Sequence, residues 1–389
     1  MNLDRDTART YSFLLRPYLR SEAVGLTSQT NHVGSTRMRH IQLQQAWLNL
    51  KSLPWDNAVR YMLSIGIPLI TGSATGLLRY GVVAVIGSMY VVSIANVDAP
   101  PKDRLLSTLV GSVLITGCAQ LGSFLTDSPE LIALGVLVLG TTAGWLHSTH
   151  MAIEIMVRFA VLGFLFGALQ LAAFGTQLIA IDERVIFIFL AGGLWTSIII
   201  ALEHWLFRVN RLTAGAAVSE GWQRIQSNQT AGLRFALCYG IVATSAVGGS
   251  FLLHLPRPFW VAATTLLVMK PDSRATVQRT SQRIVGTLIG VLLVEAMITS
   301  TNSPNLLIAY ILLAAPLIPI GLAKNYTLCC AAVTVLVMVM IDLLMLNQGG
   351  DRALLPVRFY ATLVGCVLTA LGTAITYPEL WLHKKERDS

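Results

Sequence analysis

The sequence predicts an all-α polytopic membrane protein of about twelve transmembrane helices, arranged as two parallel six-helix repeats. Three observations carry that prediction. Of the 389 residues, 54% are apolar and only 12% charged, against soluble averages of about 45–50% and about 25%. Apolar stretches follow one another at lengths near the roughly 20 residues that cross a hydrocarbon core of about 30 Å. One membrane pattern also occurs twice, 175 residues apart. A short apolar segment stops at charge and proline, and an apolar helix then opens.

Uninterrupted apolar length places six spans near 58–78, 80–97, 105–126, 130–147, 151–174 and 185–207. Six more lie near 234–254, 258–270, 284–300, 305–323, 326–346 and 355–377. The spans at 80–97 and 258–270 read either as re-entrant or broken segments or as full helices. The organisation is then a cytoplasmic segment 1–54, a first membrane repeat 55–207, a connector 208–232, a second repeat 233–378 and a cytoplasmic tail 379–389. The polar first 52 residues hold no apolar signal core, so the first span is expected to direct insertion.

Orientation follows from Lys and Arg. With the N-terminus inside, 22 of the 28 fall on the cytoplasmic face, and only Arg79, Arg184, Arg257 and Arg352 fall on the other. Both halves then start inside, which makes the repeats parallel, related by an axis along the membrane normal. The net charge of +8 reads as a topology signal and an attraction to anionic membrane lipid, with no nucleic-acid partner. The connector, with Trp222 and Arg224, reads equally as an interfacial amphipathic helix or as a solvated linker.

The doubled pattern supplies the first candidate residues. Gly81–Val97 stops at Asp98, Pro100, Pro101, Lys102 and Arg104; Phe259–Met269 stops at Lys270, Pro271 and Asp272. Arg104 precedes Gly111 by seven residues, as Arg279 precedes Gly286. Paired proline-interrupted spans are a sequence pointer to a transporter's substrate site; the plainer reading is that proline and charge end two ordinary helices. Arg104, Arg274, Arg279 and Arg283 would form a positive vestibule if the halves bring them together, since the guanidinium fork matches a carboxylate bidentately. Ordinary positive-inside pairing with Asp and lipid phosphate is the competing account.

Ionisable groups within spans are functional hypotheses by default. They are Glu154, Arg158, Glu203, Glu295, Asp342 and Arg358. Glu154 and Arg158 are four apart and share a helix face, as a functional pair or one that lets the helix insert. Arg358 has no acidic residue within a turn, so it needs a partner from another helix, a route to the outer interface or an anionic ligand. Asp342 is expected at the outer interface. His147 and His150 read as surface histidines, with proton sensing as the alternative. Gly111, Gly117, Gly286 and Gly290 are expected to allow close helix packing. The five cysteines sit in apolar runs without metal-ligand spacing, so neither a metal nor any other cofactor is expected. No phosphate-binding loop or nucleophile motif appears, which leaves an enzyme reading without support.

The run Pro258–Val261 through Met269–Asp272, followed by Gln282-Arg283-Ile284-Val285-Gly286-Thr287-Leu288-Ile289-Gly290, resembles the fusaric acid resistance protein-like family. Asn325-Tyr326 and the helix from Arg358 to Pro378 resemble that family's following elements, and Phe189–Trp195 is similar to the segment before its cytoplasmic region. The resemblance covers about residues 55–380 and is strong in the second half. The first half departs from the pattern, with Leu106–Gly111 after Arg104 in place of the Gln-Arg form. It implies the aromatic acid exporter superfamily: bacterial inner-membrane efflux of small organic anions such as fusaric acid or hydroxybenzoates, in some members with a periplasmic membrane-fusion partner. Plant relatives are aluminium-activated malate transporters, which are anion channels and suggest a homo-oligomer. Many full-length exporters carry a folded domain between the halves where this chain has only a short connector.

The expected function is therefore proton-gradient-driven export of organic anions. Arg104, Arg279, Arg283 and Arg358 would contact the anion, and Asp98, Asp272 and Glu154 would couple or gate. Pro100, Pro101 and Pro271 would break the helices. A passive anion channel and a non-transporting envelope component are the alternatives.

Overall fold

The computed structural model describes residues 53–95, 99–170, 184–207, 221, 223–227, 229–255, 257–301, 303–345 and 354–377. The chain divides after Leu53 into two compact units, and the helices described belong to the second, which starts at Pro54. The first 52 residues, most of the connector with Trp222, the C-terminal tail and Asp98 lie outside the described residues.

Helices occupy every position at which apolar length demanded one. The first half holds α1 Trp55–Ala74, α2 Leu78–Ala95, α3 Pro101–Phe124, α4 Pro129–Trp145, α5 Met151–Leu165 and α6 Arg184–Phe207. The second holds α7 Leu233–Leu252, α8 Pro258–Val268, α9 Ser273–Ser300, α10 Pro304–Ala314, α11 Leu317–Lys324, α12 Tyr326–Met345 and α13 Leu354–Thr376. Pro316 separates α10 from α11, as a ring without an N–H does inside an apolar run. Among the described residues nine helical stretches are long and apolar enough to cross a membrane, with Pro304–Lys324 counted as one. The protein is an all-α, multi-pass membrane protein.

The two interrupted segments differ from one another. α2 runs 18 residues, Leu78–Ala95, and meets the length for a span. α8 has only 11 residues. It ends where Met269 turns extended, at φ −66° and ψ 130°, and Pro271 prevents the helix from resuming before Asp272 caps α9. α3, by contrast, begins at the proline pair itself, with Pro100 as N-cap and Pro101 in the first turn, where a missing N–H costs nothing.

Packing follows the same order in each half. α1 lies on α2, α2 on α6, and α3 on both α5 and α6; likewise α7 lies on α8, α8 on α13, and α9 on both α12 and α13. The halves join through α4 against α7 and through α10 and α11 against α1, with α5 also touching α8. Small residues make the closest approaches. A Cβ on Gly140 would lie 3.2 Å from the Gly240 Cα, and one on Gly290 would lie 2.7 Å from the Thr334 Cβ. Gly286 faces the Thr327 carbonyl, whereas Gly117 faces open space and takes no part in close packing. Large apolar side chains such as Val113, Phe124, Leu292 and Leu313 stay exposed on the outside, as a lipid-facing surface requires.

Candidate functional site

Where the halves meet, α1, α2 and α5 face α8, α9, α11, α12 and α13 across a cavity of about 150 Å³. Its walls are aromatic. Tyr61, Tyr90 and Phe159 come from the first half, and Phe259, Trp260 and Tyr326 from the second. Tyr90 and Phe159 rings lie 5.2 Å apart, and Tyr61 shares a 3.0 Å hydroxyl hydrogen bond with Ser93.

Two arginines line this otherwise apolar space. Arg283 is 3% exposed and Arg358 4%. No carboxylate pairs with either among the described residues. Arg283 donates only to the Cys330 sulfur, at 3.8 Å, while the Arg358 guanidinium lies 5.2 Å over the Trp260 ring. The Nε of each is buried without a partner. A cation–π contact returns about 2 kcal/mol when desolvated, whereas a buried charge without a counter-ion costs several kcal/mol. The two arginines therefore hold an unmatched capacity for an anion. Arg279, a turn before Arg283, stacks over Tyr326 with 4.9 Å to the ring centroid.

A second group of charges sits at the break after α8. Glu154 of α5 accepts from Arg158 on its own helix and, at 2.6 Å, from the Lys270 ammonium. The Nε2 of His147, in the turn before α5, lies 3.0 Å from Arg158 and 3.4 Å from Lys270. His147 is buried, contrary to the expected surface position. Burial, and then the neighbouring Arg158 charge, pushes its pKa down to about 3, so the ring is neutral at physiological pH and fails as a sensor there. Burial, again with Arg158 next, pushes Lys270 down to about 7. Tyr239 of α7 closes the group by donating to the Leu266 carbonyl at 2.6 Å. His150 caps α5, its Nδ1 accepting from the Ala152 N–H at 3.2 Å.

Other sequence candidates lie elsewhere. Arg104 belongs to a first-half group in which Glu203 takes a bidentate contact from Arg60 and faces Arg104 at 3.9 Å. Arg104 thus faces Glu203 of α6, whereas Arg279 and Arg283 face Tyr326 and Cys330 of α12. Arg358 is buried over Trp260. Asp342 is buried too, rather than solvated as expected. Asp272 is exposed and accepts the Arg274 N–H at 3.0 Å as the cap of α9. Lys270 was legible only as a positive-inside charge; its partner lies 116 residues away, and no local pattern marks such a contact.

Residues 238–372 match the model of the fusaric acid resistance protein-like family. That stretch contains Lys270, Arg279, Arg283 and Arg358, whereas Tyr61, Tyr90, Phe159 and Glu154 lie outside it. An uncharacterized Synechocystis protein is 32% identical over 148 residues, 38% of this chain and 18% of its own length. The uncharacterized protein YhfK of Escherichia coli is 29% identical over 127 residues, 33% of this chain and 18% of its own. The uncharacterized protein ORF2 of Neisseria gonorrhoeae is 26% identical over 161 residues, 41% of this chain and 38% of its own. The chain thus spans about a fifth of the first two relatives. No solved structure matches it.

Proposed function

We propose that this protein is a bacterial inner-membrane transporter that exports small aromatic carboxylates of the benzoate or fusaric acid type, driven by the proton gradient. One observation carries the reading: two buried arginines without a carboxylate partner face an aromatic cavity. The guanidinium groups supply what a carboxylate needs. The rings supply flat apolar surface for the rest of the molecule. A cavity of about 150 Å³ is of the size that holds one benzene ring, which suits a single-ring acid. The matched family stretch supports membrane efflux as the broader class. Termini on the cytoplasmic side and parallel halves agree with the distribution of Lys and Arg, and the recurring order of helix pairing supports a repeat.

Purified protein in liposomes loaded with labelled 4-hydroxybenzoate tests this. Efflux under an imposed pH gradient is expected, with at least about a tenfold loss in Arg283→Gln and Arg358→Gln, since charged hydrogen bonds are worth about 1.5–3 kcal/mol. Flux that follows membrane potential alone, indifferent to the pH gradient, would identify a channel. No anion flux under either gradient contradicts transport altogether.

A further inference from the structure

The two arginines of the cavity set a number of charges as well as a sign. A guanidinium stays protonated at physiological pH, so Arg283 and Arg358 bring two positive charges to one space. Both are buried, and among the described residues neither meets a carboxylate. Arg283 donates to the Cys330 sulfur, Arg358 lies over Trp260, and each keeps a buried Nε without a partner. Arg279 adds no third charge to this count. It is partly exposed and stacks on Tyr326, where solvent and salt screen it.

The spacing of the two follows from the helices that hold them. α9 and α13 pack together in opposite directions, the start of α9 at Ser273–Ile284 sharing a groove with the end of α13 at Ala370–Ala374. The Cys366 sulfur meets the Thr280 carbonyl at 3.9 Å, which fixes their register. From that level Arg283 lies three positions along α9 and Arg358 eight positions back along α13. The difference of five residues is roughly 7–8 Å of helical rise. The cavity therefore offers two anchoring points set apart along its length, not one.

The Arg283 charge acts on Arg358, so the two repel one another across an empty cavity. One carboxylate relieves that repulsion but leaves the pair with one positive charge in excess, and a buried charge without a counter-ion is costly. Two carboxylates close the balance. Resting on the proposed anion site, we infer that its preferred ligands are aromatic dianions with carboxylates in the 1,3 or 1,4 positions, one on Arg283 and the other on Arg358. The ring between them lies against Phe159, Trp260 and Tyr326. Adjacent carboxylates would crowd one anchoring point, and simple benzoates are the weaker ligands of the same site.

The test is titration calorimetry of the full chain in detergent with benzoate, isophthalate and terephthalate. Fixed ionic strength and about pH 7.5 keep every carboxyl group ionised. In wild type one of the two dicarboxylates is expected to bind at least about tenfold more tightly than benzoate, the effect of one further charged hydrogen bond. Arg283→Gln and Arg358→Gln are each expected to erase that difference, the larger loss falling on the dicarboxylate. Arg283→Lys and Arg358→Lys, which keep the charge, are expected to retain it. The wild-type comparison decides without any variant: benzoate binding as tightly as both dicarboxylates overturns the inference and leaves the anion site standing. A preference that survives in both Gln variants overturns it as well. So does one that appears only in Cys330→Ser, which would make that thiolate the second negative charge. Failure of wild type to bind any of the three removes the anion site and both readings with it.

Discussion

Glu154 and Lys270 illustrate how differently two partners in one contact can matter. Glu154 neutralises Arg158 and accepts from Lys270 at the same oxygen, so Glu154→Gln leaves two cations facing an amide. Breaking a buried pair in this way costs about 3–5 kcal/mol. Lys270→Met leaves the Glu154–Arg158 pair intact and replaces a partly desolvated ammonium by an apolar chain of similar length. Thermal unfolding in detergent is therefore expected to fall well below wild type for Glu154→Gln and to stay close to it for Lys270→Met. Equal losses would contradict this charge balance. The Glu154–Arg158 pair was legible in the sequence because four residues make one helical turn. The lysine's role was not, since it depends on a break in α8 folding back onto α5. Arg358 was half legible: its lack of a local counter-ion demanded a partner, but nothing in the chain identified Trp260 as its platform.

The helices themselves owe their positions to apolar length and their spacing to small residues. Gly286 and Gly117 had the same standing as sequence signals, both being glycines in apolar helices opposite an unknown neighbour. The structure separates them, since a Cβ on Gly286 would run into the α12 backbone at Thr327 while one on Gly117 would meet no neighbouring element within 4 Å. Gly286→Ala is expected to lower the unfolding temperature by forcing α9 and α12 apart. Gly117→Ala is expected to raise it slightly, because alanine favours a helix over glycine by about 1 kcal/mol. If both variants shift the same way, the α9–α12 contact does not constrain the packing. The same limit explains why the two copies of the proline pattern follow helices of different length. Proline followed by charge marks the end of a helix, but whether the preceding helix is truncated depends on where it began. α2 starts at Leu78 and is long, whereas α8 cannot start before Pro258.

For the molecule as a whole, the fold class, helix positions and the second-half family pattern could all be read from composition and motif, because membrane spans announce themselves by length. The cavity could not. Its walls come from segments as distant as Tyr61 and Arg358, and only the docking of one half on the other assembles them. Transport of an aromatic anion requires that this junction bind one. A structure of the protein with an iodinated benzoate tests it most directly, since the heavy atom marks the ring. The ring is predicted to lie among Phe159, Trp260 and Tyr326, with the carboxylate within hydrogen-bonding distance of Arg283 and Arg358. A ligand bound only outside this cavity, with both guanidinium groups left as they are, would contradict it.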